Sequence, residues 1–198
     1  MKAKAFFKTW KKFIFETVKD QNNWPFNQAR ARSVAIFGEH GSSHPDSPLG
    51  NYFKENFKKH NYKKNDGLAD LSIYKESAFE GTHNLYDPKT EKYTQIEIAN
   101  CPAFYDIIVE MENDPRKCYT NMIKLTTVRA KLKVLITYNW DKETDNDFKF
   151  VYKTLRNNFR KIIKQANKSC KEVNTEYLLI VGQHSEKAQD WKFFVLKP

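Results

Sequence analysis

The sequence predicts an α/β domain in which helices cover a mixed β-sheet, and three observations support this fold class. Leu68–Tyr74, Tyr93–Ala99 and Phe104–Glu112 follow one another and show the apolar–polar alternation of half-buried strands. Leu132–Tyr138 and Tyr177–Val181 are nearly continuous apolar runs, which is typical of strands buried on both faces. Segments with helical periodicity lie around these strands. Consecutive strands followed by alternating strands and helices favour a mixed sheet flanked by helices.

The first predicted helix covers residues 3–20, with aromatic side chains on one side and lysines on the others. A basic amphipathic helix of this kind can lie on a membrane surface, although such helices more often pack on their own domain. The residues that follow are rich in turn formers and contain one short predicted strand, Val34–Phe37. A second helix is predicted from Leu49 to His60.

Further elements are predicted in the second half of the chain. Residues 80–92 contain turn formers and are predicted to be a hairpin connection. Pro115 suits the first turn of a helix that should end near Val128. The longest predicted helix is Asn146–Asn167, which has an apolar seam and a basic face. Trp191–Leu196 is predicted to be an edge strand.

The 198 residues are expected to form a single domain, because this length suits one core with extensions. We predict an N-terminal helix and irregular extension (1–48), a core (49–140), and a C-terminal helix with strands (141–198). The three cysteines show no CxxC spacing, which argues against a disulfide scaffold or structural zinc site and favours a reducing compartment. No apolar run approaches the roughly 18 residues needed to span a membrane. We therefore expect a cytoplasmic protein without a membrane span.

The charge balance indicates a class of partner. The 34 basic and 24 acidic residues give a formal net charge of +10. A positive field attracts polyanions such as nucleic acid and speeds their encounter with the protein. The alternative is a basic protein that has no polyanionic partner.

A pair of carboxylates is the most informative chemical feature. Glu110 and Glu112 are two residues apart on a predicted strand, so both point to the same face. Neighbouring carboxylates repel unless a positive charge lies between them. Mg²⁺ prefers oxygen ligands and needs few protein carboxylates when phosphate completes its coordination shell. Asp70 and Glu97, on strands expected to be neighbours, are candidates for a third acid. The alternative is a solvated strand face whose glutamates pair with lysines.

The segment that contains this pair reads VEMEND and continues as PRKCYTNMIKLTTVRAKLKVLITYNW. It resembles the PD-(D/E)XK nuclease superfamily, in particular restriction-endonuclease-like proteins, over roughly residues 49–140. The resemblance implies an αβββαβ core in which Asp70 and Glu110 hold Mg²⁺ or Mn²⁺. Glu112 stands where the family usually has lysine, and Lys124 on the following helix is the candidate to replace it. Glu97 also lies about where the motif could fall, so the choice between Glu97 and Glu110 as primary metal ligand stays open.

The function that this resemblance implies is metal-dependent hydrolysis of DNA phosphodiester bonds, as in a restriction or defence enzyme. Double-stranded DNA and a second copy of the chain are the expected partners, since one site cuts one strand. The expected nucleic-acid contacts are Arg30, Arg32, Lys149, Lys153, Arg156, Arg160 and Lys164. Two alternatives are a nucleic-acid-binding protein without catalysis on the same fold, and an interaction module that uses the aromatic N-terminal helix.

Overall fold

The structure, a computed structural model, describes residues 1–19, 48–56, 70–73, 79–87, 89–101, 104–112, 114, 117–139, 145–169, 174–183 and 191–197. The helices within these ranges are α1 (Ala3–Lys19), α2 (Pro48–Asn56), α3 (Cys118–Thr127) and α4 (Asp145–Ser169). The strands are β1 (Leu71–Ile73), β2 (Phe79–Asp87), β3 (Lys92–Cys101), β4 (Tyr105–Glu112), β5 (Ala130–Asn139), β6 (Glu176–Gln183) and β7 (Trp191–Leu196).

A five-stranded mixed sheet forms the centre of the fold, with strand order β1-β4-β5-β6-β7. Strands β4, β5 and β6 are parallel, whereas β1 and β7 run antiparallel to their neighbours at the two edges. Parallel neighbours need a crossover connection. Helix α3 lies between β4 and β5 in the chain, and α4 lies between β5 and β6. The predicted mixed sheet flanked by helices and the edge position of Trp191–Leu196 are thereby confirmed.

One predicted strand neighbour was wrong. The strand that contains Glu97 was expected beside β4, but β3 pairs with β2 in a separate two-stranded sheet. Residues 79–87, expected within a connection, supply that partner strand. Only residues 88–91 separate the two strands, so this local hairpin closes a short loop at low entropic cost. The predicted strand Val34–Phe37 lies outside the described residues.

Helices α1 and α2 pack on one face of the sheet. Phe6 and Trp10 are fully buried, and the ring of Phe7 stacks on Phe193 of β7 with centroids 4.0 Å apart. Phe6 also stacks on Phe53 of α2, at 4.9 Å. The aromatic side of α1 is therefore buried within the domain rather than presented to a membrane or partner. Among the described residues, no helix has the length and apolar character required to cross a membrane.

Helices α3 and α4 cover the opposite face. Helix α3 contributes Met122 and Leu125, and α4 contributes Leu155, Phe159 and Ile163 at helical spacing. Burial of each such side chain stabilises the fold by roughly 1.5–3 kcal/mol. This packing leaves the opposite side of α4 in solvent and holds α3 beside β4.

Candidate active site

Strand pairing brings Asp70 beside Glu110. Strands β1 and β4 pair antiparallel with Leu71 opposite Val109 and Ser72 opposite Ile108. Continuing this register by one residue puts Asp70 opposite Glu110. Opposite residues of an antiparallel pair share a face, with Cβ atoms roughly 4.5–5.5 Å apart. The Met111 backbone N–H donates a 2.6 Å hydrogen bond to Asp70 Oδ2, which fixes the aspartate at this end of β1.

Lys124 approaches the same carboxylate from helix α3. Its Nζ lies 2.8 Å from Glu110 Oε1, so the two side chains form an ion pair. The buried side of α3 consists of Cys118, Met122 and Leu125, and Lys124 lies outside this buried side. Glu110 is 4% exposed, whereas the Lys124 side chain is 39% exposed. The ion pair therefore lies at the boundary between core and solvent.

The electrostatic environment disfavours a negative charge on Glu110. Burial raises the pKa of Glu110, the hydrogen bond from Lys124 opposes that effect, and the charges of Asp70 and Glu112 raise the pKa further. Lys124 therefore offsets only part of the cost of ionising this carboxyl. A cation placed between the carboxylates would favour the ionised form.

Glu112 lies two residues beyond Glu110, at the end of β4. It is half-buried, and its Oε1 accepts a 3.0 Å hydrogen bond from the Asp114 backbone N–H. Across the sheet, its register partner on β5 is Thr137. Glu112 thus shares the face of Glu110 and contributes negative charge to the site, while one of its oxygens accepts the backbone N–H of Asp114.

The described carboxylates suit a hard cation in donor type but are few in number. Within the described ranges, no group of three or more His, Cys, Asp or Glu residues is arranged to hold a metal ion. Asp70 and Glu110 supply oxygen donors from facing strands. Mg²⁺ in phosphate-processing sites uses one or two carboxylates together with substrate oxygens and water. Asp70 and Glu110 are therefore the described oxygen donors that could hold a divalent cation.

The comparisons with known proteins give no relative. No family model matches the chain, and neither a curated protein nor a solved structure matches it. The chemistry of the site therefore follows from its own side chains. Two facing carboxylates beside an ammonium group can bind a divalent cation and a phosphate next to each other.

Glu97, the other candidate ligand, is on a different sheet. Its register partner is Thr82 of β2, and β3 does not pair with β4 in the described part of the chain. Backbone pairing therefore brings Asp70, but not Glu97, to the position opposite Glu110. This outcome depends on the insertion of a hairpin between β1 and β4, which alternation alone does not reveal.

The expected nucleic-acid contacts differ in their surroundings. On α4, Lys149, Lys153, Arg160 and Lys164 are all exposed. Arg156 is half-buried, and its guanidinium carbon lies 5.3 Å from the centre of the Phe194 ring, so this residue packs against β7. Arg30 and Arg32 lie outside the described residues. We define the exposed basic face of α4 by its four exposed residues, Lys149, Lys153, Arg160 and Lys164.

Two buried polar groups on the same sheet face were not singled out from the sequence. Asp106 accepts a 2.7 Å hydrogen bond from Lys131, and the fully buried Lys133 donates to the Tyr177 hydroxyl at 3.2 Å. The signal for Lys133 is a lysine within the apolar run of β5. These contacts lie toward the beginning of the parallel strands, away from Glu110.

Proposed function

We propose that this protein is a metal-dependent nuclease whose active site contains Asp70, Glu110 and Lys124. The observation that carries the proposal is the arrangement of two facing carboxylates with a lysine 2.8 Å from one of them. The resemblance to PD-(D/E)XK nucleases implies that Asp70 and Glu110 are metal ligands and that Lys124 replaces the lysine of the motif. The order β1, β4, α3 and β5 agrees with part of the expected αβββαβ core, whereas β3, the expected middle strand, pairs with β2 in a separate sheet.

Each residue has a definable role in this proposal. Asp70 and Glu110 would hold Mg²⁺ or Mn²⁺. When bound, the metal ion supplies Lewis-acid polarisation of the phosphate and a bound water with a lowered pKa. Lys124 would stabilise negative charge that develops on the phosphate, or orient the attacking water by a hydrogen bond. Glu112 would add negative charge beside the metal ligands, and it accepts the backbone N–H of Asp114.

The proposed substrate is a polynucleotide, with double-stranded DNA as the expectation from the resemblance. The net charge of +10 and the exposed lysines and arginine of α4 support binding to phosphates. Cleavage of both strands of a duplex needs two sites, so a homodimer follows from a duplex substrate. A restriction or defence role remains part of the proposal.

A specific observation favours a second candidate, a nucleic-acid-binding protein that does not cleave. Lys124 already contacts one carboxylate oxygen of Glu110 in a direct ion pair. The described residues also provide no third ligand of the usual types near the two carboxylates. In this alternative, the cluster ties β1, β4 and α3 together, and polyanion binding is the whole activity.

Plasmid cleavage with Mg²⁺, Mn²⁺ or EDTA tests the proposal. Glu110→Gln should abolish metal-dependent cutting. Asp106→Asn is a matched control, because Asp106 is a buried carboxylate on the same strand and is likewise paired with a lysine. Cutting that needs a metal ion and Glu110, but not Asp106, supports the nuclease. Salt-sensitive binding without cutting in any metal supports the second candidate, and the absence of both activities rejects the two together.

A further inference from the structure

Beyond the aspartates of its first turn, Asp145 and Asp147, helix α4 carries only positive charges. Between residues 148 and 169 the sequence contains no aspartate or glutamate. The basic residues of this segment are Lys149, Lys153, Arg156, Arg160, Lys161, Lys164 and Lys168. Like charges four residues apart repel, as in the pairs Lys149/Lys153 and Arg160/Lys164. A helix face that meets only water usually intersperses acidic partners among its lysines. A polyanion would relieve the repulsion that this face contains.

The same face carries an exposed aromatic ring. Phe150 is 70% exposed, compared with 54% for Ile123 and 45% for Phe104, which are also exposed apolar side chains of the described residues. Positions 150, 153, 157 and 161 follow each other at helical spacing, so the ring lies in a stripe with Lys153, Asn157 and Lys161. A single exposed phenylalanine is ordinary on a protein surface. An exposed ring flanked by cations combines the two elements used to bind single-stranded nucleic acid, a stacking platform and a positive track.

We infer that the outer face of α4 binds single-stranded nucleic acid, with an unpaired base stacked on Phe150 and phosphates on the neighbouring basic side chains. This inference rests on the proposed function, because it takes a polynucleotide as the substrate and adds a site on α4 for unpaired bases. The bases of a duplex are stacked on each other, so lysines alone would serve a duplex and the ring would add little. A membrane surface needs a broad apolar face, whereas the exposed side of α4 has one large apolar residue in the described part.

The order of the elements places the start of α4 at the same end of the sheet as the candidate active site. Strands β4 and β5 are parallel, and helix α4 follows β5 in the chain. The helix therefore begins at the C-terminal ends of these strands, where β4 carries Glu110 and Glu112. Asn158 of α4 donates a 2.9 Å hydrogen bond to the Tyr119 hydroxyl at the start of α3. Phe150 is eight residues earlier, about 12 Å along the helix. Phe150 therefore lies in the half of α4 that is nearer to the strand ends carrying the two glutamates.

The length of the basic face determines how long a nucleic-acid probe must be. Lys149 and Lys164 are fifteen residues apart, about 22 Å along the helix axis. At 3.4 Å per stacked nucleotide, this length corresponds to roughly six or seven nucleotides. A labelled single strand of about fifteen nucleotides is therefore long enough to occupy the whole face.

Fluorescence anisotropy in EDTA tests the inference without any cleavage. The probes are the labelled single strand, the same strand annealed to its complement, and vesicles of phosphatidylserine and phosphatidylcholine. Phe150→Ala should weaken single-strand binding by about 5- to 150-fold, which is the effect of losing one base stack. Phe150→Trp should restore it, and duplex binding should change less than about twofold. The matched control is Phe104→Ala. Phe104 is also exposed and lies near Lys131, but it precedes β4 at the N-terminal ends of the parallel strands.

The outcomes separate this inference from the proposed function. Unchanged single-strand affinity in Phe150→Ala, an equal loss in Phe104→Ala, or binding to vesicles alone would overturn the inference. Loss of binding to single strand and duplex alike would also overturn it. The nuclease proposal would survive each of these results, because plasmid cutting that needs Glu110 tests it separately. Conversely, a protein that cuts no plasmid but shows the Phe150-dependent preference would retain the inference as a binding activity.

Discussion

Replacement of Glu110 by glutamine separates the function of this side chain from its contribution to stability. Glu110→Gln keeps the shape of a side chain that is 4% exposed, and the amide oxygen can still accept the Lys124 hydrogen bond. Lys124 is 39% exposed, so water can solvate its ammonium group. Partly exposed ion pairs contribute about 0–1 kcal/mol. The free energy of unfolding should therefore change by less than about 1 kcal/mol, or Tm by less than about 4 °C for a chain of this length.

The expected effect on activity is much larger. A neutral amide is a poorer ligand than a carboxylate for a hard divalent cation. Loss of a residue that only supports a metal ligand typically costs about 10- to 100-fold. Loss of a direct ligand should therefore reduce nicking of supercoiled plasmid in Mg²⁺ at least about 100-fold. Asp106→Asn should retain the activity. A Glu110→Gln protein with more than about one tenth of wild-type activity would refute the assignment of Glu110 as a ligand.

The pH dependence of stability provides an independent check. Because the folded-state pKa of Glu110 is raised above its ordinary value of 4.5, folding favours the protonated carboxyl. This contribution to stability is complete below pH 4.5 and is lost as the pH rises through the folded-state pKa. Glutamine cannot ionise. The stability of Glu110→Gln relative to wild type should therefore increase above pH 4.5 in thermal unfolding curves, and a decrease would contradict the electrostatic description of the site.

Three further predictions concern the site and its support. Lys124→Met removes the hydrogen bond that lowers the pKa of Glu110. In a pH–activity profile, the loss of any residual activity on the acid side should therefore occur at higher pH than in the wild type. An unchanged profile would contradict the effect of Lys124 on the pKa of Glu110. Burial raises the pKa of the Cys118 thiol to about 12, so peptide mapping should find Cys118 unalkylated by iodoacetamide at pH 8 until the protein unfolds. Rapid labelling of the native protein would contradict this burial. Trp10→Ala should lower the unfolding free energy by about 3–5 kcal/mol and Tm by roughly 6–20 °C, because Trp10 is fully buried. The exposed neighbour control, Lys11→Ala, should have an effect within about 0.5 kcal/mol, and similar small effects for both variants would contradict the packing of α1 on the sheet.

The second half of the chain was predicted well from side-chain periodicity. The apolar run Leu132–Tyr138 lies within β5, and the seam predicted over Asn146–Asn167 lies within α4. The observed strand β7 has the predicted bounds. Periodicity succeeds here because each segment buries a face or a stripe along its own length, and neighbouring residues in the sequence record that burial.

One feature of the candidate site could be predicted from the sequence, whereas another required the tertiary structure. Two-residue spacing determined that Glu110 and Glu112 share a strand face, whatever the strand pairs with. The partner of that face required the folded chain, because alternation is equally compatible with the Glu97 strand and the Asp70 strand as neighbours. The pairing of β1 with β4 joins residues nearly forty positions apart and encloses the β2–β3 hairpin, and no local pattern reports such a register.

By itself, the sequence determined the net positive charge, the basic side of α4 and the acid pair on β4, since each is a property of nearby residues. Only the tertiary structure decided that Lys124 reaches Glu110, that Arg156 packs on Phe194, and that the aromatic side of α1 faces the sheet. These outcomes depend on which elements lie against each other. That choice minimises the free energy of the whole chain, so it cannot be derived from any one segment.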